Sequence, residues 1–176
     1  ISIVDDEGNA VPQGEIGEVI ISGDCVSQGY WMDEKATAEA FGNGGWKSGD
    51  LGYVDEDGYL FIVDRKKDVI IAGGHNIYPL EIEALLYKHP AVAMCAVVGA
   101  PDESKGEIPV AIIVKAAGQD VTAEEIIRYC RESLAAYKAP RTVHFIDTMP
   151  VEAAKIRKRE LVLALRENRL DVFRSK

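Results

Sequence analysis

Asp50, Arg65, Gly73, Gly74 and Lys155 are residues of this 176-residue chain whose types and places could serve an oxygen-rich ligand. Asp50 ends the run Ser48-Gly49-Asp50, where an aspartate after a glycine at a hairpin start reads either as turn chemistry or as a carboxylate that accepts well from a sugar diol. Arg65 closes the run that follows, and its guanidinium can hold sugar or phosphate oxygens through paired N–H donors. If the two runs form a hairpin, Asp50 and Arg65 lie together at one sheet end. Lys66-Lys67-Asp68 reads either as a solvated linker or as a joint. Gly73-Gly74 reads either as a tight turn needing positive φ or as a bare backbone surface that a ligand can approach closely, with Asn76, Tyr78 and Pro79 setting the geometry around it. Lys155 precedes an apolar-periodic segment. A cation at a helix N-terminus is electrostatically misplaced, which suits it to an external anion, although surface lysines near helix starts are commonly just solvated.

The elements that must position these groups follow from the pattern of apolar residues. "ISIVD" and "GEIGEVIISG" read as strands, "DEKATAEAF" as a short helix, and "LGYVDEDGYLFIVD" as a hairpin turning at Asp55-Glu56-Asp57-Gly58. From residue 68 the character changes. "DVIIAG" is a short strand and "GHN" a turn. Pro79 is placed as the first residue of a helix whose apolar face is Ile82, Leu85 and Leu86. "VAMCAVVGA" and "IPVAIIVKA" are strands apolar on both faces. Thr122 and Glu125 form a capping box opening a helix with Ile126, Ile127, Cys130 and Leu134 inward. "RTVHFID" is a third strand, and "RKRELVLALRENRL" a terminal helix with Leu161, Val162 and Leu165 inward. The fold class is α+β: a β-hairpin-rich first part, residues 1–66, then a small domain, residues 67–176, with a mostly three-stranded central sheet flanked by helices.

Charge marks the same boundary. Residues 1–64 carry 14 acids and 2 bases, whereas the remainder carries 15 acids and 18 bases, so a net −9 changes sign locally at Arg65. An acidic chain whose one basic cluster, Lys155 to Arg159, is short does not suit nucleic acid as a partner. No apolar run reaches the roughly 18 residues of a transmembrane helix. Three scattered cysteines and three scattered histidines give no metal-ligand spacing. Cys25, Cys95 and Cys130 are expected to be buried, reduced thiols of a cytoplasmic protein. The chain opens without Met and is read as a piece of a longer protein. Its first 64 residues hold so few large apolar groups that they would be marginal alone, and they are expected to be the tail end of a larger β-containing domain.

In order and spacing, "GEIGEVIISG…SQGYWMDEKATAEAF…GGWKSGDLGYVDEDGYLFIVDRKKDVIIAGGHNIYPLEIEALL", "HPAVAMCAVVGAPDESKGEIPVAIIV" and "LAAYKAPRTVHFIDTMP" resemble the C-terminal portion of an acyl-CoA synthetase of the adenylate-forming, AMP-binding superfamily. The resemblance covers essentially the whole chain. It implies a ligase that activates a carboxylic acid, commonly a fatty acid, with Mg2+ and ATP and then transfers the acyl group to coenzyme A. It further implies a small C-terminal domain that swivels on a hinge and serves each half-reaction with a different face. On this resemblance Asp50 binds the ribose, Arg65 contacts the nucleotide, Lys67 is the hinge, Gly73 and Gly74 line the pantetheine channel, and Lys155 is the adenylation lysine. Residues 1–66 would be the end of the large AMP-binding domain. The phosphate-binding loop and the acyl pocket belong to an N-terminal domain outside this chain, so the chain alone is expected to be inactive.

Two departures stand out. Ser48 replaces the family's threonine before Gly-Asp and keeps the hydroxyl. The approach to Lys155, "PVEAAK", is one residue short, with Glu152 and Ala154 where threonine and glycine are usual. That loop could place Lys155 differently, and Glu152 could compete for its charge. Alternative readings are an adenylation module that loads a carrier protein and a free-standing, non-catalytic binding domain.

Overall fold

A computed structural model describes residues 1–42 and 44–174. The chain forms two compact units, one from Ile1 to Lys67 and the other from Asp68 onward.

The first unit is built on β1 (Ser2–Val4), β2 (Gly17–Ile21), the helix α1 (Glu34–Ala40), β3 (Phe41–Gly42), β4 (Gly45–Val54) and β5 (Leu60–Arg65). The strands form one antiparallel sheet in which β4 pairs with β2, β3 and β5. The hairpin expected around residues 55–58 is present. Asp55 Oδ1 accepts from the backbone N–H groups of Asp57 and Tyr59 at 3.1 and 2.8 Å, and Gly58 takes the left-handed conformation. β4 begins earlier than that hairpin required, so Ser48-Gly49-Asp50 lies inside a strand. Among the described residues, this unit buries only Ile3, Val19 and Ile20 as apolar side chains, while Trp31, Met32, Tyr59, Phe61 and Ile62 are exposed.

The second unit contains β6 (Ile70–Ala72), β7 (His75–Ile77), α2 (Pro79–Leu86), β8 (Val92–Asp102), β9 (Gly106–Lys115), α3 (Ala123–Ser133), β10 (Thr142–Phe145), the pair β11 (Val151–Glu152) and β12 (Lys155–Ile156), and α4 (Lys158–Arg166). The three strands expected from the apolar runs are β8, β9 and β10, and β6 and β7 extend the sheet to five. β10 runs parallel to β9, the connection between them passing through α3. The expected turn "GHN" falls one residue earlier, at Gly73-Gly74. Both glycines have positive φ, and His75 and Asn76 belong to β7.

Strand alternation explains why the central runs of β8 and β9 are apolar on both faces. Cys95, Val97, Ala111 and Ile113 point into one core with Ile82 and Leu86 of α2 and Ile126 and Cys130 of α3. Their neighbours Ala96, Val98, Val110 and Ile112 point into another with Leu161 and Ala164 of α4. The capping box closes as expected, Glu125 N–H donating to Thr122 Oγ1 at 3.2 Å and Thr122 N–H to Glu125 Oε2 at 2.9 Å. α2 starts at Pro79. Leu85, Ile127, Leu134, Val162 and Leu165 are half-buried, and Ala164 shares the inner face of α4 with Leu161.

The cysteine expectation needs a correction: Cys95 and Cys130 are buried, but Cys25 is exposed. It lies in an irregular stretch between β2 and α1, where no sheet covers it. Burial pushes the Cys95 thiol up to about 12 and the Cys130 thiol up to about 11, so both stay protonated at neutral pH.

Candidate functional site

Asp50 and Arg65 meet. They are direct cross-strand partners on β4 and β5, with Arg65 Nε 2.7 Å from Asp50 Oδ1. The pairing of β4 with β2 shifts register between Glu18 and Ile20, opposite Lys47 to Leu51, so Ser48-Gly49-Asp50 forms a bulge. Gly49 has φ of 73°, and the Ser48 hydroxyl accepts from the Asp50 N–H at 3.0 Å, fixing the turn of the chain. Both members of the pair remain partly exposed, at 53% for Arg65 and 33% for Asp50. An acceptor and a planar donor set are thus offered together at one sheet end, the combination a ribose diol or a phosphate ester can use.

Lys66, Lys67 and Asp68 form a single 3-10 turn. Lys66 is tied down by Asp6 at 2.8 Å and Glu18 at 3.0 Å. The Asp6 hydrogen bond is the main reason that its ammonium is held above the usual lysine range. Lys67 is exposed and is the last residue of the first unit.

Gly73 and Gly74 form the tip of the β6–β7 hairpin, with φ of 57° and 80°. A Cβ built on either would meet nothing within 4 Å. Backbone conformation alone therefore accounts for glycine here, and the same bareness leaves the peptide surface open to a ligand. Gly73 N–H donates to Lys105 O at 2.8 Å, and the His75 ring lies 4.9 Å from that of Tyr137. The Tyr137 ring beside this turn escaped the sequence reading because it lies some sixty residues away on an irregular segment.

Lys155 does not sit at a helix N-terminus. It is exposed on β12, opposite Glu152 in a two-residue hairpin, and α4 begins three residues later. The dipole argument for Lys155 therefore falls. The turn residues are Ala153 and Ala154, both with positive φ (47° and 64°). Only these two positions reverse the chain, and two consecutive left-handed residues do so in a form that matches strand twist. Glu152 does not pair with Lys155. Its ion pair is with Arg157, at 3.7 Å, and Lys155 makes no ion pair among the described residues.

Glu83 was also missed. Pro79, Ile82, Glu83 and Leu86 are the buried positions of α2, a spacing of i, i+3, i+4, i+7 with a carboxylate in an otherwise apolar stripe. That mismatch is the signal that could have found it. No group of three or more His, Cys, Asp or Glu among the described residues could hold a metal ion.

Residues 81–155 match the family described as AMP-binding enzyme C-terminal domain. The match ends on Lys155. The chain is 48% identical over 159 residues to a 2-succinylbenzoate–CoA ligase of Bacillus mycoides, covering 90% of this chain and 33% of that protein. It is 46% identical over 155 residues to a feruloyl-CoA synthase of Amycolatopsis, covering 88% and 32%. Among solved structures, o-succinylbenzoate CoA synthetase of Bacillus subtilis with its acyl-adenylate intermediate aligns with TM-score 0.85 and 40% identity over 91% of this chain and 33% of that one. ATP-bound MatB from Rhodopseudomonas palustris aligns with TM-score 0.87 and 34% identity over 96% and 34%. The chain spans about a third of the length of the relatives it matches, and the α+β fold is that of the C-terminal portion of adenylate-forming CoA ligases.

Proposed function

We propose that this chain is the C-terminal part of an ATP-dependent acid–CoA ligase of the cytoplasm. The observation that carries the reading is the domain match over residues 81–155 within a chain 48% identical to a CoA ligase. Residues 1–66 are read as the end of the large nucleotide-binding domain and residues 67–176 as the mobile C-terminal domain, with the remaining N-terminal domain as partner. Asp50 would accept from the ribose hydroxyls and Arg65 would hold the pair rigid while donating to nucleotide oxygens. Both side chains are half-exposed and already aligned, which suits that task. Lys155 would neutralise the charge that gathers between the acid's carboxylate and the α-phosphate as pyrophosphate leaves. One preorganised stabiliser of this kind is worth about 10²–10³ in rate. Lys67 would be the joint that removes Lys155 afterwards and brings the Gly73-Gly74 turn to the incoming thiol of coenzyme A. Mg2+ would be held with the ATP phosphates outside this chain.

Lys155→Ala in the full-length protein tests the reading: pyrophosphate release should fall by about 10²-fold or more, while transfer from a supplied acyl-adenylate to coenzyme A stays near its normal rate. Equal loss in both steps would reject the role. The substrate is a carboxylic acid, and a panel of fatty acids, ferulate and 2-succinylbenzoate would narrow it. A second reading has its own support: an amide bond synthetase of Marinactinospora thermotolerans aligns with TM-score 0.86 and 37% identity. Its acceptor would be an amine, and offering coenzyme A and amines side by side separates the two.

A further inference from the structure

Glu83 is the one charged side chain buried in the second unit among the described residues, at 8% exposure. Its Oε1 accepts from the Val97 backbone N–H at 2.7 Å and lies 2.8 Å from Lys158 Nζ. A single carboxylate oxygen therefore joins α2, β8 and α4. Lys158 is the first residue of α4, where the helix dipole disfavours a cation, so its position answers to Glu83 and not to the helix. Next to it, Arg157 reaches both ways. Its Nη1 is 3.0 Å from Glu160 on α4, its Nε is 3.7 Å from Glu152 on β11, and its N–H donates to Pro150 O at 2.9 Å. The hairpin held by these contacts carries Lys155.

We propose that Glu83 is a positioning residue for Lys155. The pair of buried Glu83 with half-buried Lys158 locks the first turn of α4 to α2 and β8. Arg157 passes that position to the β11–β12 hairpin, which then presents Lys155 at a set height above α4. Covalent spacing strengthens the point: Lys155, Arg157 and Lys158 lie within four consecutive residues, so displacing Lys158 displaces the hairpin. The catalytic consequence rests on the adenylation role of Lys155, whereas the latch itself rests on the contacts alone.

The test uses Glu83→Gln, Lys158→Met and the double variant in the full-length protein. Glu83→Gln should slow pyrophosphate release about 10–100-fold, the effect of misplacing a reacting group by an ångström or so, and leave acyl transfer from a supplied adenylate within about two-fold. Amide exchange at Arg157 should quicken in the same variant. The double variant should be no slower than either single one, because the two side chains act as one unit. Lys158→Met keeps length and packing, so it serves if Glu83→Gln folds poorly. Equal slowing of both half-reactions, additive losses or unchanged Arg157 protection would overturn the proposal. If Lys155→Ala leaves adenylation intact, it is the role of Lys155 that fails, and Arg157 exchange still decides the latch.

Discussion

Two turns of one kind occur in the second unit, one made with Gly73 and Gly74 and the other with Ala153 and Ala154. The left-handed conformation costs an L-residue about 1–2 kcal/mol and glycine little. Ala154→Gly should therefore stabilise the Lys155 hairpin by about 1 kcal/mol, raising the melting temperature by roughly 2–4 °C in calorimetry, and Gly74→Ala should lower it by a similar amount. Strain at a functional loop is retained only where its surroundings over-determine it, and Arg157 supplies that constraint here. Asp50 and Arg65 separate two kinds of contribution. Their exposed pair is worth under about 1 kcal/mol to folding, but hydrogen bonds from charged groups to a ligand are worth about 1.5–3 kcal/mol. Asp50→Ala should therefore leave the melting curve almost unmoved and raise the KM for ATP about ten- to hundred-fold, which steady-state kinetics at saturating acid would read. The Asp50–Arg65 proximity was legible because both ends of a hairpin with a clear turn can be paired by counting. The partners of Glu83 were not, because Val97 and Lys158 reach it from elements whose packing no local pattern encodes.

At the scale of elements, the legible parts were those written in local chemistry. Thr122 with Glu125 specified a helix start, Pro79 another, and Asp55 with Gly58 a hairpin. Thr122→Ala should remove one half of the capping box and destabilise the second unit by about 1 kcal/mol, seen as a lowered denaturant midpoint at unchanged slope. The short strands β7, β11 and β12 were harder. Each is two or three residues long, too brief for alternation to register, and each exists because a partner strand or a tight turn completes its hydrogen bonds. The parallel pairing of β10 with β9 likewise depends on where α3 packs, which is a tertiary fact. Leu161 is fully buried among both sheet and helix residues, and Leu161→Ala should cost about 2–5 kcal/mol.

At the scale of the molecule, the two units differ in how they are held. Among the described residues, the second has two buried clusters on opposite sheet faces, and the first buries three apolar side chains while displaying several large ones. So small a core leaves the first unit marginal by itself, and the relatives are about three times as long as the span they share with this chain. Lys67→Pro should fix φ at the proposed joint and slow coenzyme A transfer more than adenylation, measured as separate half-reactions. Unchanged transfer would move the joint elsewhere.

The cysteines acquire a practical meaning from their burial. Cys95 and Cys130 lie inside the second unit with thiols held protonated, and Cys25 lies in the open on the first. A maleimide dye added at neutral pH should take one equivalent per folded chain and two more only on denaturation, as mass spectrometry would count. The protein thus arrives with one addressable handle on its first unit. A second cysteine at exposed Glu124 of α3 would complete a donor–acceptor pair, and in the full-length protein the swing proposed for Lys67 could be watched as a change in colour, one turnover at a time.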